Sequence, residues 1–167
     1  MNIKDIELAI AKYFNYRQNI IVPNISWGLH LHECDLLVLS KSGYATEVEI
    51  KISKSDLIKD KFKKHKHLSD KIRRLFFAMP IDLYNIIKDD KDVMVALPKK
   101  AGIVVVYSNG RCEKIVRAKT VALARKFNDK EVQKLLHLGI MRTWNLRKTV
   151  RALMLENKKL TLTKEIR

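Results

Sequence analysis

The 167-residue chain predicts a single α/β domain, a sheet flanked by helices. Three observations carry that expectation. Apolar spacing switches between a helical period and strict alternation along the chain. Two pairs of alternating segments are joined by turn chemistry. Apolar runs such as 36–39 and 103–106 recur, with only 5 Gly and 3 Pro in the whole sequence, which argues against disorder. No repeat or low-complexity linker interrupts residues 1–167, so one domain is expected.

Residues 2–15 place apolar side chains at 3, 6, 10, 13 and 14, the stripe of an amphipathic helix. Glu7 falls within that stripe, between the directions of Ile3, Ile10 and Phe14, so its carboxylate is expected to point into the protein. After Pro23 the period becomes two. Residues 34–39 and 44–52 read as the strands of an antiparallel hairpin, with Ser40-Lys41-Ser42-Gly43 as the turn. In the second strand Val48, Ile50 and Ile52 face one way, and Glu47, Glu49 and Lys51 the other. In the first, Asp35 shares a face with Glu33 and Leu37.

Residues 54–72 return to helical spacing, with Leu57, Ile58, Phe62, Leu68 and Ile72 on one side, most lysines on the other, and Ser53 or Ser55 as the cap. Residues 75–79 form a short apolar run stopped by Pro80, a buried strand. Residues 103–107 and 112–116 flank Asn109-Gly110, a strong hairpin signal. Two or three helices are expected from Thr120 to about Leu155.

The net charge is +16, and its distribution is uneven. Residues 51–74 carry 10 basic and 3 acidic side chains, 111–134 carry 8 and 3, and 142–167 carry 8 and 2, whereas residues 1–50 carry 4 and 6. Basic blocks of this size point to a polyanion, because phosphate contacts by Lys and Arg release counterions. No apolar run approaches the roughly 20 residues of a membrane span, and the first residues lack the apolar region of a secretory signal. A cytoplasmic location is therefore expected. Cys34 and Cys112 lie far apart and read as reduced thiols. The scattered glycines match no nucleotide-binding loop.

Glu33, Asp35, Glu47 and Glu49 fall within 17 residues on two adjacent strands, with Lys41 the lone basic residue among them. Clustered carboxylates repel unless a cation sits between them, and Mg²⁺ prefers a few oxygen ligands plus water. Lys51 adds an ammonium on the same face, about 7 Å beyond Glu49 by strand rise. Such a group can bind a metal and hold a water or a scissile phosphate beside it.

Asp35, then Glu49-Ile50-Lys51 across a hairpin, an inward Glu7 on a leading helix and a basic helix afterwards resemble the PD-(D/E)xK nuclease superfamily. The run Glu47-Val48-Glu49-Ile50-Lys51-Ile52-Ser53, with Asp56-Leu57 and then residues 70–80, is similar to MmcB-like DNA repair proteins. The resemblance covers about 3–118, leaving a C-terminal helical extension of about 119–167. It implies a restriction-endonuclease-like core of helix, three strands, helix and strand, with a mixed central sheet flanked by helices. It also implies a DNA nuclease dependent on Mg²⁺ or Mn²⁺, acting in DNA repair, recombination or mobile-element DNA processing. Asp35, Glu49 and the carbonyl of Ile50 would hold the metal, with Glu47 a further ligand or a support. Lys51 would orient the attacking water, and Glu7 would be an added helix carboxylate. The residue before Asp35 is Cys34 rather than the proline of the family signature.

Lys54, Lys59, Lys61, Lys63, Lys64 and Lys66 would hold the DNA backbone, with Arg142 and Arg147 as a second contact. Two other classes compete: a catalytically inactive DNA-binding module of the same fold, and a basic structural or RNA-interaction protein. Dimers are common among nucleases that cut both strands, and a homodimer is compatible with this sequence.

His30, His32 and Cys34 stand at period-two spacing, with His65 and His67 downstream, which hints at zinc. Against it, ligands from one extended strand do not easily close a tetrahedron; an approach of His30 and His32 to the acidic centre stays open. Trp27 and Trp144 are expected to pack rather than to stack on bases.

Overall fold

The computed structural model of the chain describes residues 1–25, 28–60, 67 and 69–165. Helix α1 (Ile3–Tyr13) starts in a capping box: the Asn2 side chain accepts from the Asp5 N–H at 2.9 Å, and the Asp5 carboxylate accepts from the Asn2 N–H at 3.0 Å. Strands β1 (Ile20–Ile25), β2 (Cys34–Leu39) and β3 (Ala45–Ile50) follow, then helix α2 (Lys54–Asp60) and strand β4 (Ile72–Pro80). Helices α3 (Ile81–Ile87) and α4 (Lys91–Ala96) lead to strands β5 (Gly102–Val106) and β6 (Cys112–Val116), and helix α5 (Asp129–Glu165) ends the described chain.

The six strands form one mixed sheet in sequential order, β1 to β6. Neighbours run antiparallel, except that β3, β4 and β5 run parallel to one another. The hairpins expected around 40–43 and 109–110 are both present, with Gly43 and Gly110 at φ 82° and 79°, a left-handed backbone that glycine adopts without a steric penalty. The alternation in β2 and β3 sorts the core. Leu36, Val38, Val48 and Ile50 join Ile6 and Ile10 of α1 and Phe76 and Val104 in one apolar cluster on one face of the sheet.

The opposite face carries two clusters. Leu37, Leu39 and Ala45 pack with Leu135 and Leu138 of α5. Leu57 of α2, Phe77, Met79, Leu83 and Ile103 form the other under α2, α3 and α4. Glu47 lies opposite Leu37 on one side and Leu75 on the other, so the polar residues of β3 run along the seam between these two clusters.

Several expectations need correction. The helix expected over 54–72 is helical over 54–60; residues 67 and 69–71 are not helical, Ile72 opens β4, and 61–66 and 68 lie outside the described residues. Ser53 does cap α2, its Oγ accepting from the Asp56 N–H at 3.2 Å. In place of two or three C-terminal helices there is one helix of 37 residues, about 55 Å long at the α-helical rise. The resemblance implied a third strand before α2, but the residues alone did not mark β1, because Pro23 and Asn24 interrupt its alternation. Pro23 is tolerated there because β1 is a sheet edge. Among the described residues, no helix is long and apolar enough to cross a membrane.

Candidate functional site

Leu36 pairs with Val48, and one step further along that register sets Asp35 beside Glu49 at the end of the hairpin. The Ile50 N–H donates to Asp35 Oδ2 at 2.7 Å, which fixes the carboxylate against the neighbouring strand. The Lys51 N–H donates to the Ala78 carbonyl at 2.9 Å, extending the contact with β4 just past the end of β3. The Lys51 ammonium is thereby turned inward, 3.3 Å from Glu49 Oε2 and 5.8 Å from the Phe77 ring centroid. Glu49 and Lys51 are 1% and 3% exposed, so each charge is compensated within the protein rather than by bulk water.

Asp35, Glu49, Ile50 and Lys51 line a single cavity of about 630 Å³, joined there by His32, Glu33 and Asp56. Four carboxylates thus face one ammonium, in a protein of net charge +16. Asp56 enters from the first turn of α2; the resemblance included it with Leu57 but gave it no role, and its local signal was the cap Ser53 three residues earlier.

Glu47 sits deeper on the same face, fully buried. His32 Nε2 lies 2.9 and 2.8 Å from its two oxygens, and His67 Nδ1 lies 2.7 Å from Oε1. Burial alone would push the Glu47 carboxyl up. The hydrogen bonds and charge of the two imidazoles outweigh that and hold it below the ordinary glutamate value. The sequence offered His67 only together with His65, as a further zinc donor beside His30, His32 and Cys34; its pairing with Glu47 depends on the chain turning back before β4. His30 is exposed at φ 52° and lines no part of the cavity.

Glu7 is not brought to the cavity. Helix α1 covers the Val48 and Ile50 face, whereas the carboxylates of β3 project from the other. The Glu7 side chain is largely buried, as the stripe implied, but it pairs with Lys4 at 2.8 Å and lines a separate groove with Asn24 and Arg142.

Of the basic residues expected to hold DNA, Lys54 is tied to Asp90 at 2.6 Å, bridging α2 and the start of α4. Lys59 is exposed, and Lys61, Lys63, Lys64 and Lys66 lie outside the described residues. Arg142 Nη2 donates to the Asn24 carbonyl at 2.6 Å and so anchors α5 to β1. The Arg147 guanidinium stands 5.7 Å from the ring centroid of Trp144, which is 59% exposed rather than packed. Trp27 and His65 lie outside the described residues.

No protein-family model and no curated protein matches the chain. It is similar to a solved structure described as "SPO1766 protein of unknown function from Silicibacter pomeroyi", with 16% identity over 87% of this chain and 88% of that one, at a TM-score of 0.56. At that identity the likeness shows a shared fold.

Proposed function

We propose that the protein is a DNA nuclease of restriction-endonuclease-like fold that hydrolyses phosphodiester bonds with Mg²⁺ or Mn²⁺. The observation that carries the proposal is the convergence of Asp35, Glu49, Ile50 and Lys51 on one cavity at the end of β3. The order α1, β1 to β3, α2, β4 supports it, being the helix, three strands, helix and strand that the sequence resemblance implies.

The donor set fits the metal. Two carboxylates and one main-chain carbonyl form an all-oxygen set, the chemistry of a hard divalent cation. Asp35, Glu49 and the Ile50 carbonyl would hold it, and when bound it supplies Lewis-acid polarisation of the phosphate and a more acidic water. A cavity with four carboxylates repels a phosphodiester until a cation compensates them, so DNA entry and metal binding are coupled.

Lys51 carries the remaining work. Its ammonium, held beside Glu49, orients the attacking water and stabilises the negative charge that develops on the phosphorus oxygens. The new bond joins water oxygen to phosphorus, and the bond to the 3′ oxygen breaks in line with it. Lys59, Arg147 and the lysines of 61–66 would hold the DNA backbone, contacts that position DNA without reading its sequence.

The test is incubation with nicked, branched, single-stranded and duplex DNA, with and without Mn²⁺, for the wild type and for Asp35→Ala and Lys51→Ala. The expected result is metal-dependent cleavage that both substitutions abolish while DNA binding persists. Equal cleavage by the variants contradicts the assignment, and binding without cleavage by the wild type reduces the protein to a DNA-binding module.

A further inference from the structure

We propose that His32, Glu47 and His67 form a transition-metal site, suited to Zn²⁺, that is separate from the oxygen site of Asp35 and Glu49. His32 Nε2, His67 Nδ1 and a Glu47 carboxylate oxygen all lie within 4.8 Å of one another. The side chains are 7%, 2% and 0% exposed. The ligands come from three segments: the loop before β2, the middle of β3, and the turn before β4. That removes the objection to zinc raised by a single extended strand, since donors from separate segments can approach a metal from different directions.

The donor chemistry selects the metal class. Two imidazole nitrogens and one carboxylate oxygen suit Zn²⁺ and its neighbours rather than Mg²⁺, and three protein ligands leave a fourth position for water or another ligand. Zinc bonded at about 2.0–2.1 Å sets its donors about 3.3 Å apart. The closest present contacts are 2.7–2.9 Å, so a metal requires these pairs to open by about half an ångström, within the reach of small side-chain rotations.

A second observation comes from the backbone. His67 adopts φ 54°, a left-handed conformation that is uncommon in a residue other than glycine, and its Nδ1 is aimed at Glu47. The site would also tie three segments of the chain together. His32 lines the acidic cavity, while His67 lines a second hollow of about 200 Å³ that carries Arg74, Lys99, Lys100 and Lys119. A metal there would stand in the wall between an acidic and a basic concavity. The proposal does not rest on nuclease activity.

The experiment uses the full chain stripped with chelator and titrated with Zn²⁺, and separately with Co²⁺ as a spectroscopic probe. One equivalent of zinc is expected, with the visible bands of four-coordinate cobalt. Binding should persist in the double variant Asp35→Asn, Glu49→Gln and weaken by roughly 100-fold in His67→Ala and in His32→Gln, each checked for folding by circular dichroism. Because a histidine variant can fail to fold, X-ray absorption on the zinc-loaded wild type gives an independent reading, with two imidazoles expected around the metal. The proposal is overturned by absence of stoichiometric zinc, by a zinc shell without imidazole, or by binding that survives His67→Ala but is lost from the double variant.

Discussion

Replacing Glu131 by Gln tests the attachment of α5 to the sheet. Glu131 stands in the first turn of α5, where its Oε1 lies 2.9 Å from Lys71 Nζ and its oxygens accept from Arg125 Nη2 and Nη1 at 2.7 and 2.8 Å. The Arg125 guanidinium holds the carboxyl far below the usual glutamate range. The Arg125 contact is half-open to solvent, and Arg125 keeps Asp70 at 3.0 Å, so its loss costs about 0.5–1 kcal/mol. Lys71 is 6% exposed and its other described partner is the Leu29 carbonyl; taking the counter-charge from that ammonium costs about 2–3 kcal/mol. The total of about 3 kcal/mol corresponds to a fall of about 9 °C in Tm for a domain of this size.

Urea unfolding and a thermal scan of the wild type, Glu131→Gln and Asp70→Asn measure it. The Asp70 variant, which touches only the exposed side of the network, should cost under about 1 kcal/mol. Because the folded Glu131 pKa is depressed, its contribution is complete above about pH 4.5, the ordinary value, and is lost as pH falls from there toward the folded value. A Glu131 variant within about 0.5 kcal/mol of wild type at pH 7, or no more costly than Asp70→Asn, would show that the buried Lys71 contact does not hold α5 to the sheet.

Other outcomes follow from the same structure. Gly102→Ala would put a Cβ 2.5 Å from the Phe76 ring and 2.6 Å from the Ala118 backbone nitrogen, so unfolding experiments should show a loss of about 2 kcal/mol; a neutral variant would show that β4 and β5 can shift apart. The hydrogen bond from Lys54, with that from the Val93 N–H, holds the Asp90 carboxyl below the ordinary aspartate value, so its stabilising effect is present above that value and disappears in acid. Carboxyl NMR titration should find the Asp90 pKa raised in Lys54→Met, and an unchanged value contradicts the pairing. Arg147→Ala should weaken DNA binding for all sequences alike and reduce the slope of log affinity against log salt by about 0.9, one phosphate contact; an unchanged slope removes Arg147 from the interface.

The site was more legible than the helices around it. Strict alternation through Glu47, Val48, Glu49, Ile50 and Lys51 determines which side chains share a face, and a four-residue turn sets the register that brings Asp35 to Glu49. Glu7 was misplaced because a helical stripe shows that a side chain points inward, but not which face of the sheet the helix covers. Residues 54–72 misled because Ile72 continues the helical spacing by coincidence while belonging to β4. Helix α5 was expected as two or three helices; its outer part carries Leu146, Val150 and Met154 at helical spacing but exposed, so burial against the sheet does not mark how far it runs. The approach of His67 to Glu47 depends on long-range packing that spacing cannot express.

The charge pattern gains a structural meaning. The net-acidic first 50 residues supply Glu33, Asp35 and Glu49 to the cavity and Glu47 to the buried cluster beneath it, while the basic excess lies elsewhere in the chain. In the proposed nuclease such a division would draw a polyanion to the basic surface and a divalent cation to the cavity.

The most direct measurement is the single-turnover rate of DNA cleavage with Mn²⁺ by the wild type and by Glu49→Gln, which preserves side-chain volume and removes one charge. The expected rate vanishes with chelator and falls by at least about 100-fold in the variant, with DNA affinity in the absence of metal retained. Cleavage by the wild type that survives chelation, or that Glu49→Gln leaves intact, would contradict the proposed metal-dependent nuclease.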